Sequence, residues 1–153
     1  AMIATRVNDI ETEDCATISF VMSSGALASS SITLGAAGDE TRIRFVFEHL
    51  TATSGSAPYA PGSQPWTFTA RDENLQSKID QAVAATPFEA VGFQGFFTEV
   101  ALAIAGEPNN AVRLQDGAIS IALVTAIYHG ARTGQRVALQ LRPDHELYKG
   151  WLP

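Results

Sequence analysis

The fold is decided by the stretch Asp116-Gly-Ala-Ile-Ser-Ile-Ala-Leu-Val-Thr-Ala-Ile-Tyr-His-Gly-Ala-Arg-Thr-Gly-Gln-Arg-Val-Ala-Leu-Gln-Leu141. Its first part is apolar nearly all round a helix, which predicts a buried helix over Gly117–Arg132 that Asp116 opens. Gly134 is the expected end of this helix, because glycine is common just past a helix C-terminus. The alternating residues Val137–Leu141 then predict a short final strand.

Two more helices are predicted upstream. Asp72 is placed to N-cap a helix that ends before Thr86-Pro87. Pro87 suits the first turn of a second helix, and Gly106 lies beyond its end. The phenylalanines of this helix recur at helical spacing without interleaved basic residues, so they are interpreted as core rather than as a stacking platform. They are Phe88, Phe93, Phe96 and Phe97.

The first half of the chain alternates with a period of two and is predicted to form strands. Cys15–Met22 and Ala26–Leu34 are joined by the turn residues Ser23-Ser24-Gly25, which predicts a hairpin. Arg42–Leu50 is predicted as a third strand and the segment around Trp66 and Phe68 as a fourth. The Pro- and Gly-containing stretch between them, 51–65, is predicted to be a loop.

These elements predict an α+β fold, with a largely antiparallel open sheet and helices packed on one of its faces. The chain is expected to be a single domain over residues 1–153. Residues 2–72 are strand-rich, 73–133 are helix-rich, and 134–153 hold the final strand and a tail.

One face of the predicted sheet is apolar and the other is polar. The polar face consists of Thr17, Ser19, Val21, Arg42, Arg44, Val46, Glu48, Thr67 and Thr69, with a Ser/Thr row from Ser29, Ser31 and Thr33. Many such faces are simply solvated. Small side chains and two valines inside a charged rim favour an interface instead. We therefore predict a homodimer through this open face, with Arg42 or Arg44 pairing with Glu48 within or across it.

Composition excludes several classes of function. A formal net charge of −6 argues against a nucleic-acid partner. The longest apolar stretch spans about ten residues, half of what a membrane crossing needs. Cys15 is the single cysteine and no signal peptide pattern is present, so a reducing, cytoplasmic setting is expected. Ala1 before Met2 is typical of a cloning remnant and favours a piece of a longer protein.

No catalytic, cofactor-binding or metal-binding residues are predicted. No two glycines are separated by one residue, so the Gly-x-Gly-x-x-Gly turn of dinucleotide-binding folds is absent. His49, His129 and His145 lack metal-ligand spacing and are interpreted as surface or capping residues. Cys15 follows acidic residues that disfavour a thiolate. The acidic cluster Glu11–Asp14 is interpreted as a solvated strand entrance.

Four segments together resemble the C-terminal domain of the Gfo/Idh/MocA oxidoreductases. The Asp116–Leu141 stretch is similar to the family's closing helix, with its Leu-Val-x-Ala-Ile-Tyr pattern. The others are Phe93-Gln-Gly-Phe-Phe-Thr-Glu-Val-Ala-Leu-Ala-Ile-Ala-Gly-Glu-Pro108, Glu13-Asp14-Cys-Ala-Thr-Ile-Ser-Phe20 with Ser24-Gly25-Ala26, and the tail Leu147-Tyr-Lys-Gly-Trp-Leu-Pro153. In order and spacing, the four segments cover nearly the whole chain.

The resemblance implies a parent enzyme that transfers hydride between NAD or NADP and a sugar or polyol. The family's Glu-Lys-Pro motif belongs to an N-terminal nucleotide-binding domain, expected in cis, and its Asp-x-x-x-His helix precedes the present segment. This chain departs from the pattern at His129-Gly130, at Gln140, and at Phe93, where many members carry histidine. The family also commonly dimerises through the open sheet face.

Three functions remain open from the sequence. The first is an oxidoreductase fragment, inactive alone, that forms a wall of the substrate site and the oligomer interface. The second is a stand-alone, non-catalytic ligand-binding or scaffold protein of the same fold. The third is an unrelated enzyme whose site is assembled from scattered residues.

Overall fold

A computed structural model describes residues 1–87, 89–139 and 142–150. The elements, in chain order, are β1 (Met2–Ala4), β2 (Cys15–Val21), β3 (Leu27–Thr33), β4 (Arg44–Val46), β5 (Leu50–Thr53), a 3₁₀ turn (Pro61–Ser63), β6 (Thr67–Ala70), α1 (Glu73–Ala85), α2 (Gly92–Ala105) and α3 (Leu114–Thr133). They belong to two compact units. The first comprises Ala1–Ala36 and Val112–Pro153, and the second Ala37–Ala111.

The α+β class with antiparallel strands is confirmed, but the strands are divided between two sheets. The first sheet has the order β1-β2-β3 and lies in the first unit. The second sheet has the order β4-β5-β6 and lies in the second unit. Each of the two sheets therefore has its own two faces.

The hairpin β2–β3 forms where it was predicted. Met22 and Ala26 are joined by a backbone hydrogen bond of 2.8 Å, and Gly25 adopts a positive φ of 87°. A side chain at Gly25 would be strained in this turn, which explains the glycine. Ile18 of β2 is one of the few fully buried apolar residues of the described structure.

Helix α3 confirms the predicted element but not its burial. It begins two residues before Asp116, whose side chain accepts a 2.7 Å hydrogen bond from the Arg113 N–H, and it ends at Gly134 with φ 68°. Its first two turns are exposed, and only Thr125 and Gly130 are fully buried. The exposed residues lie at the N-terminal end of the helix and the more buried ones in its C-terminal half. Burial therefore changes along the helix axis rather than from one face of the helix to the other.

The predicted final strand does not form in the part of it that the structure describes. Residues 137–139 adopt no strand, and Gln140 and Leu141 lie outside the described residues. A short alternating segment becomes a strand only when a partner strand supplies hydrogen bonds. Neither described sheet provides one for residues 137–139.

The second sheet contains a hairpin that the sequence did not indicate. A single strand over Arg42–Leu50 was predicted, but the chain turns at residues 47–49, where the Phe47 N–H donates to the Leu50 carbonyl at 2.8 Å. Residues Leu50–Thr53 then form the central strand β5, and the last three of them lie in the segment predicted to be a loop. Thr51 and Thr53 are β-branched and suit a strand, whereas the prolines that follow had dominated the loop prediction.

Helix α1 begins as predicted, and α2 begins later than predicted. The Asp72 side chain accepts a 2.8 Å hydrogen bond from the Leu75 N–H, which caps α1. Helix α2 starts at Gly92 rather than at Pro87, because Gly92 has a φ of 66° through which a right-handed helix cannot extend backwards. Gly106 ends it as expected, whereas Phe88 lies outside the described residues.

Candidate interface and polar cluster

The register of the first sheet brings predicted residues of β2 and β3 to one face. Thr17, Ser19 and Val21 of β2 lie directly opposite Ser31, Ser29 and Leu27 of β3. Residues directly opposite each other share one face, so these six side chains, all exposed, form a single surface. The Ser/Thr row of β3 therefore joins the face predicted from β2.

This surface contains no charge. From Cys15 to Gly38 the sequence has no Asp, Glu, Lys, Arg or His. Val21 and Leu27 form an apolar pair at the hairpin end, and Leu27 is 82% exposed. Exposed edges and faces of soluble sheets normally carry charged residues that prevent association. An uncharged hairpin with an exposed apolar pair is therefore a candidate contact surface.

The second sheet collects four more of the predicted residues on one face. Arg44 and Val46 align through β5 with Thr67 and Thr69, so the four share one surface. Thr51 and Thr53 lie between them, and neither was among the predicted residues because a loop was predicted there. The alternation of Leu50 and Ala52 with these two threonines is the signal that would have found them.

The two remaining predicted residues, Arg42 and Glu48, lie outside the strands. Arg42 pairs with Glu40 at 3.0 Å, and Glu48 lies 3.5 Å from His49. Among the described residues, the expected pairing of Glu48 with Arg42 or Arg44 within the chain is therefore not formed. Pairing across an interface remains a prediction.

Several aromatic side chains are exposed where core positions were predicted. In α2, Phe93, Phe96 and Phe97 contact one another through their rings but remain exposed. In the second sheet, Phe45 stacks on Trp66 with 5.9 Å between ring centroids, and Phe45 is half exposed. The prediction that the α2 phenylalanines form core is wrong for these three residues.

Asp14 is buried, which corrects the prediction of a solvated acidic cluster. Its carboxylate accepts hydrogen bonds from the backbone N–H groups of Arg6, Val7 and Asn8 at 2.7–2.8 Å, and only 2% of the residue is exposed. These donors, led by Asn8, hold the pKa of Asp14 far below its ordinary value, although burial opposes them. Asp14 thus organises the loop between β1 and β2.

The neighbouring Glu13 connects the start of β2 to α3. The Tyr128 hydroxyl donates a hydrogen bond to the Glu13 carboxylate at 2.5 Å. This bond, together with partial burial, raises the pKa of Tyr128 to about 12. The two residues are 115 positions apart, so no local pattern in the sequence indicates their contact.

Two of the three histidines meet at the end of α3. The rings of His129 and His145 contact edge to face with 4.9 Å between centroids. Nδ1 of His129 lies 2.8 Å from a Glu146 carboxylate oxygen, and the Leu147 N–H donates to Nδ1 of His145 at 3.1 Å. The surface or capping role predicted for these histidines did not include this contact between them.

The described residues were compared with the requirements of metal binding and proton transfer. No group of three or more His, Cys, Asp or Glu side chains in the described ranges is arranged to hold a metal ion. The raised pKa of Tyr128 keeps its hydroxyl protonated well above neutral pH, so it acts as a hydrogen-bond donor. No described helix is both long enough and apolar enough to cross a membrane. What the described elements offer is surfaces for contact and a network of positioning hydrogen bonds.

The fold resembles part of a dehydrogenase of the Gfo/Idh/MocA type. The solved structure that carries this statement is the WlbA dehydrogenase from Chromobacterium violaceum, in complex with NADH and UDP-GlcNAcA. The two are 26% identical with a TM-score of 0.64 over 94% of this chain. The resemblance noted in the sequence is thereby confirmed.

The match covers 39% of the WlbA chain, so this chain spans well under half the length of the dehydrogenase it resembles. No protein-family profile and no curated protein sequence matches the chain. The similarity to known proteins is thus carried by the three-dimensional arrangement.

Proposed function

We propose that this chain is the C-terminal, substrate-side and oligomerisation domain of an NAD(P)-dependent oxidoreductase that acts on a sugar or polyol. The observation that carries the proposal is the match of 94% of the chain to only 39% of a dehydrogenase. The NADH and UDP-GlcNAcA bound by that dehydrogenase support a nicotinamide cofactor and a carbohydrate substrate for the parent enzyme.

In this proposal the domain supplies surfaces and not reacting groups. The nucleotide is bound by an N-terminal domain in cis, because this chain lacks the glycine-rich turn that receives a pyrophosphate. The chain itself binds no cofactor and is inactive alone. The single cysteine supports a reducing, cytoplasmic setting.

The second part of the proposal is a homodimer through the open sheet face. The uncharged surface around Thr17, Ser19 and Val21 supports it, as does the small size of the facing β3 side chains. Small residues permit close approach of two sheets, and a two-fold axis would bring the same patch of each copy together. The candidate residues of the second sheet form a separate surface in the other unit.

The test is the reading frame from which the chain derives, followed by an assay of the full-length protein. We expect an upstream Gly-x-Gly-x-x-Gly segment and Glu-Lys-Pro, and reduction of NAD or NADP with free or nucleotide-linked sugars, followed at 340 nm. The isolated chain serves as the control and should be inactive. A reading frame without a nucleotide-binding segment would favour the alternative, a stand-alone ligand-binding or scaffold protein of this fold.

A further inference from the structure

The contact between His129 and His145 has a property that the proposed function does not use. Nδ1 of His145 accepts a hydrogen bond from the Leu147 N–H at 3.1 Å, so the lone pair of that nitrogen is engaged and the nitrogen carries no proton. Leu147 is 5% exposed and is the buried apolar residue of the tail. The position of Leu147 therefore depends on the protonation state of His145, which accepts the hydrogen bond from its N–H.

Protonation of His145 would change the contacts at this place. A carboxylate oxygen of Glu146 lies 2.8 Å from Nδ1 of His129, so this carboxylate is already engaged by the other ring. The two ring centroids are 4.9 Å apart, so a proton on His145 would place a positive charge against the His129 ring. It would also convert the acceptor of the Leu147 N–H into a donor and leave that N–H without this partner.

Charged and titratable residues flank both histidines in the sequence. On α3 these are Tyr128 and Arg132, and the pKa of Tyr128 is raised to about 12, so this hydroxyl stays neutral between pH 5 and 8. In the tail they are Asp144 and Glu146, of which Glu146 contacts His129.

We propose that His129, His145, Glu146 and Leu147 form a clasp that holds Leu147 at the C-terminal end of α3 and opens when His145 is protonated. With His145 neutral, the Leu147 N–H is bound and the leucine stays buried. Histidine is the side chain that changes charge between pH 5 and 8. Protonation of His145 therefore removes the acceptor and releases the tail.

The experiment uses the full 153-residue chain, labelled with ¹⁵N. The hydrogen-exchange protection factor of the Leu147 amide and the ring proton shifts of His145 are both measured from pH 8 to pH 5 by NMR. We expect the protection to be lost as the His145 ring becomes protonated, in parallel with the change in the ring proton shifts. Protection that stays constant, or that falls at a pH unrelated to the His145 titration, overturns the proposal.

A substitution separates His145 from the other groups. An asparagine side chain accepts a hydrogen bond from the amide two residues on without titrating, so His145→Asn should keep Leu147 protected down to pH 5. His49→Asn, at an exposed histidine of the second unit, is the matched control and should behave like wild type. If His145→Asn loses protection on acidification as wild type does, another group drives the opening and the clasp is refuted.

Discussion

The substitution Leu27→Ser tests the proposed dimer at its most exposed apolar side chain. Leu27 lies opposite Val21 on the uncharged face and is 82% exposed. Burying a leucine side chain contributes about 1.5–3 kcal/mol. Because most of Leu27 is exposed in the single chain, most of this free energy would be gained only when the dimer forms. In a two-fold interface each substitution occurs once in each copy. The free energy of dimer formation therefore becomes less favourable by about 4 kcal/mol, which raises the dissociation constant roughly a thousandfold.

Light scattering coupled to size exclusion measures this directly. At about 20 μM, a micromolar or tighter dimer gives a mass near twice the 16.3 kDa of the chain, and Leu27→Ser should return it to the single-chain mass. Ile104→Ser is the matched control, because Ile104 is 83% exposed but lies on α2. A wild-type mass of one chain, or equal effects of the two substitutions, would refute the interface.

The second sheet is tested in the same assay. Val46→Glu would bury an unpaired charge if the face of Arg44, Val46, Thr67 and Thr69 also takes part, and the dimer should then dissociate as well. A dimer that survives Val46→Glu but not Leu27→Ser would confine the interface to the first sheet.

Three further outcomes are expected. Tyr128→Phe should lower the melting temperature by about 3 °C, since the lost bond to Glu13 is worth about 1 kcal/mol at a half-exposed site, and the tyrosine absorbance that titrates near pH 12 should disappear. Asp14 has a depressed pKa, so the stabilisation by its carboxylate is present above about pH 4 and is lost as the pH falls further. The melting temperature of Asp14→Asn should therefore be several degrees below that of wild type at pH 7, and this difference should become smaller in acid. Calorimetric titration with NAD and NADP should show no binding, and dialysis against a chelator should leave the melting temperature unchanged; a micromolar affinity or a drop of several degrees would contradict these two expectations.

The first sheet was predicted well from local sequence patterns. The period-two alternation of β2, the turn at Gly25 and the return strand were predicted within one or two residues, because each depends on neighbours close in sequence. The register then follows from the turn, which places Ser29 and Ser31 on the predicted face. The second sheet was predicted less well, since a turn without glycine or proline at residues 47–49 interrupts an alternation that continues through it.

The sequence by itself determined the α+β class, the hairpin, the ends of α1 and α3, and the resemblance to an oxidoreductase domain, since these depend on periodicity, capping residues and the order of motifs. Only the tertiary structure brought Tyr128 to Glu13, His145 to His129, and the Asp14 carboxylate into a cradle of backbone N–H groups. The physical reason is sequence separation. A hydrogen bond between side chains 115 positions apart produces no periodic pattern in the sequence that could predict it. The sequence also does not distinguish an aspartate hydrated by water from one that accepts hydrogen bonds from backbone amides.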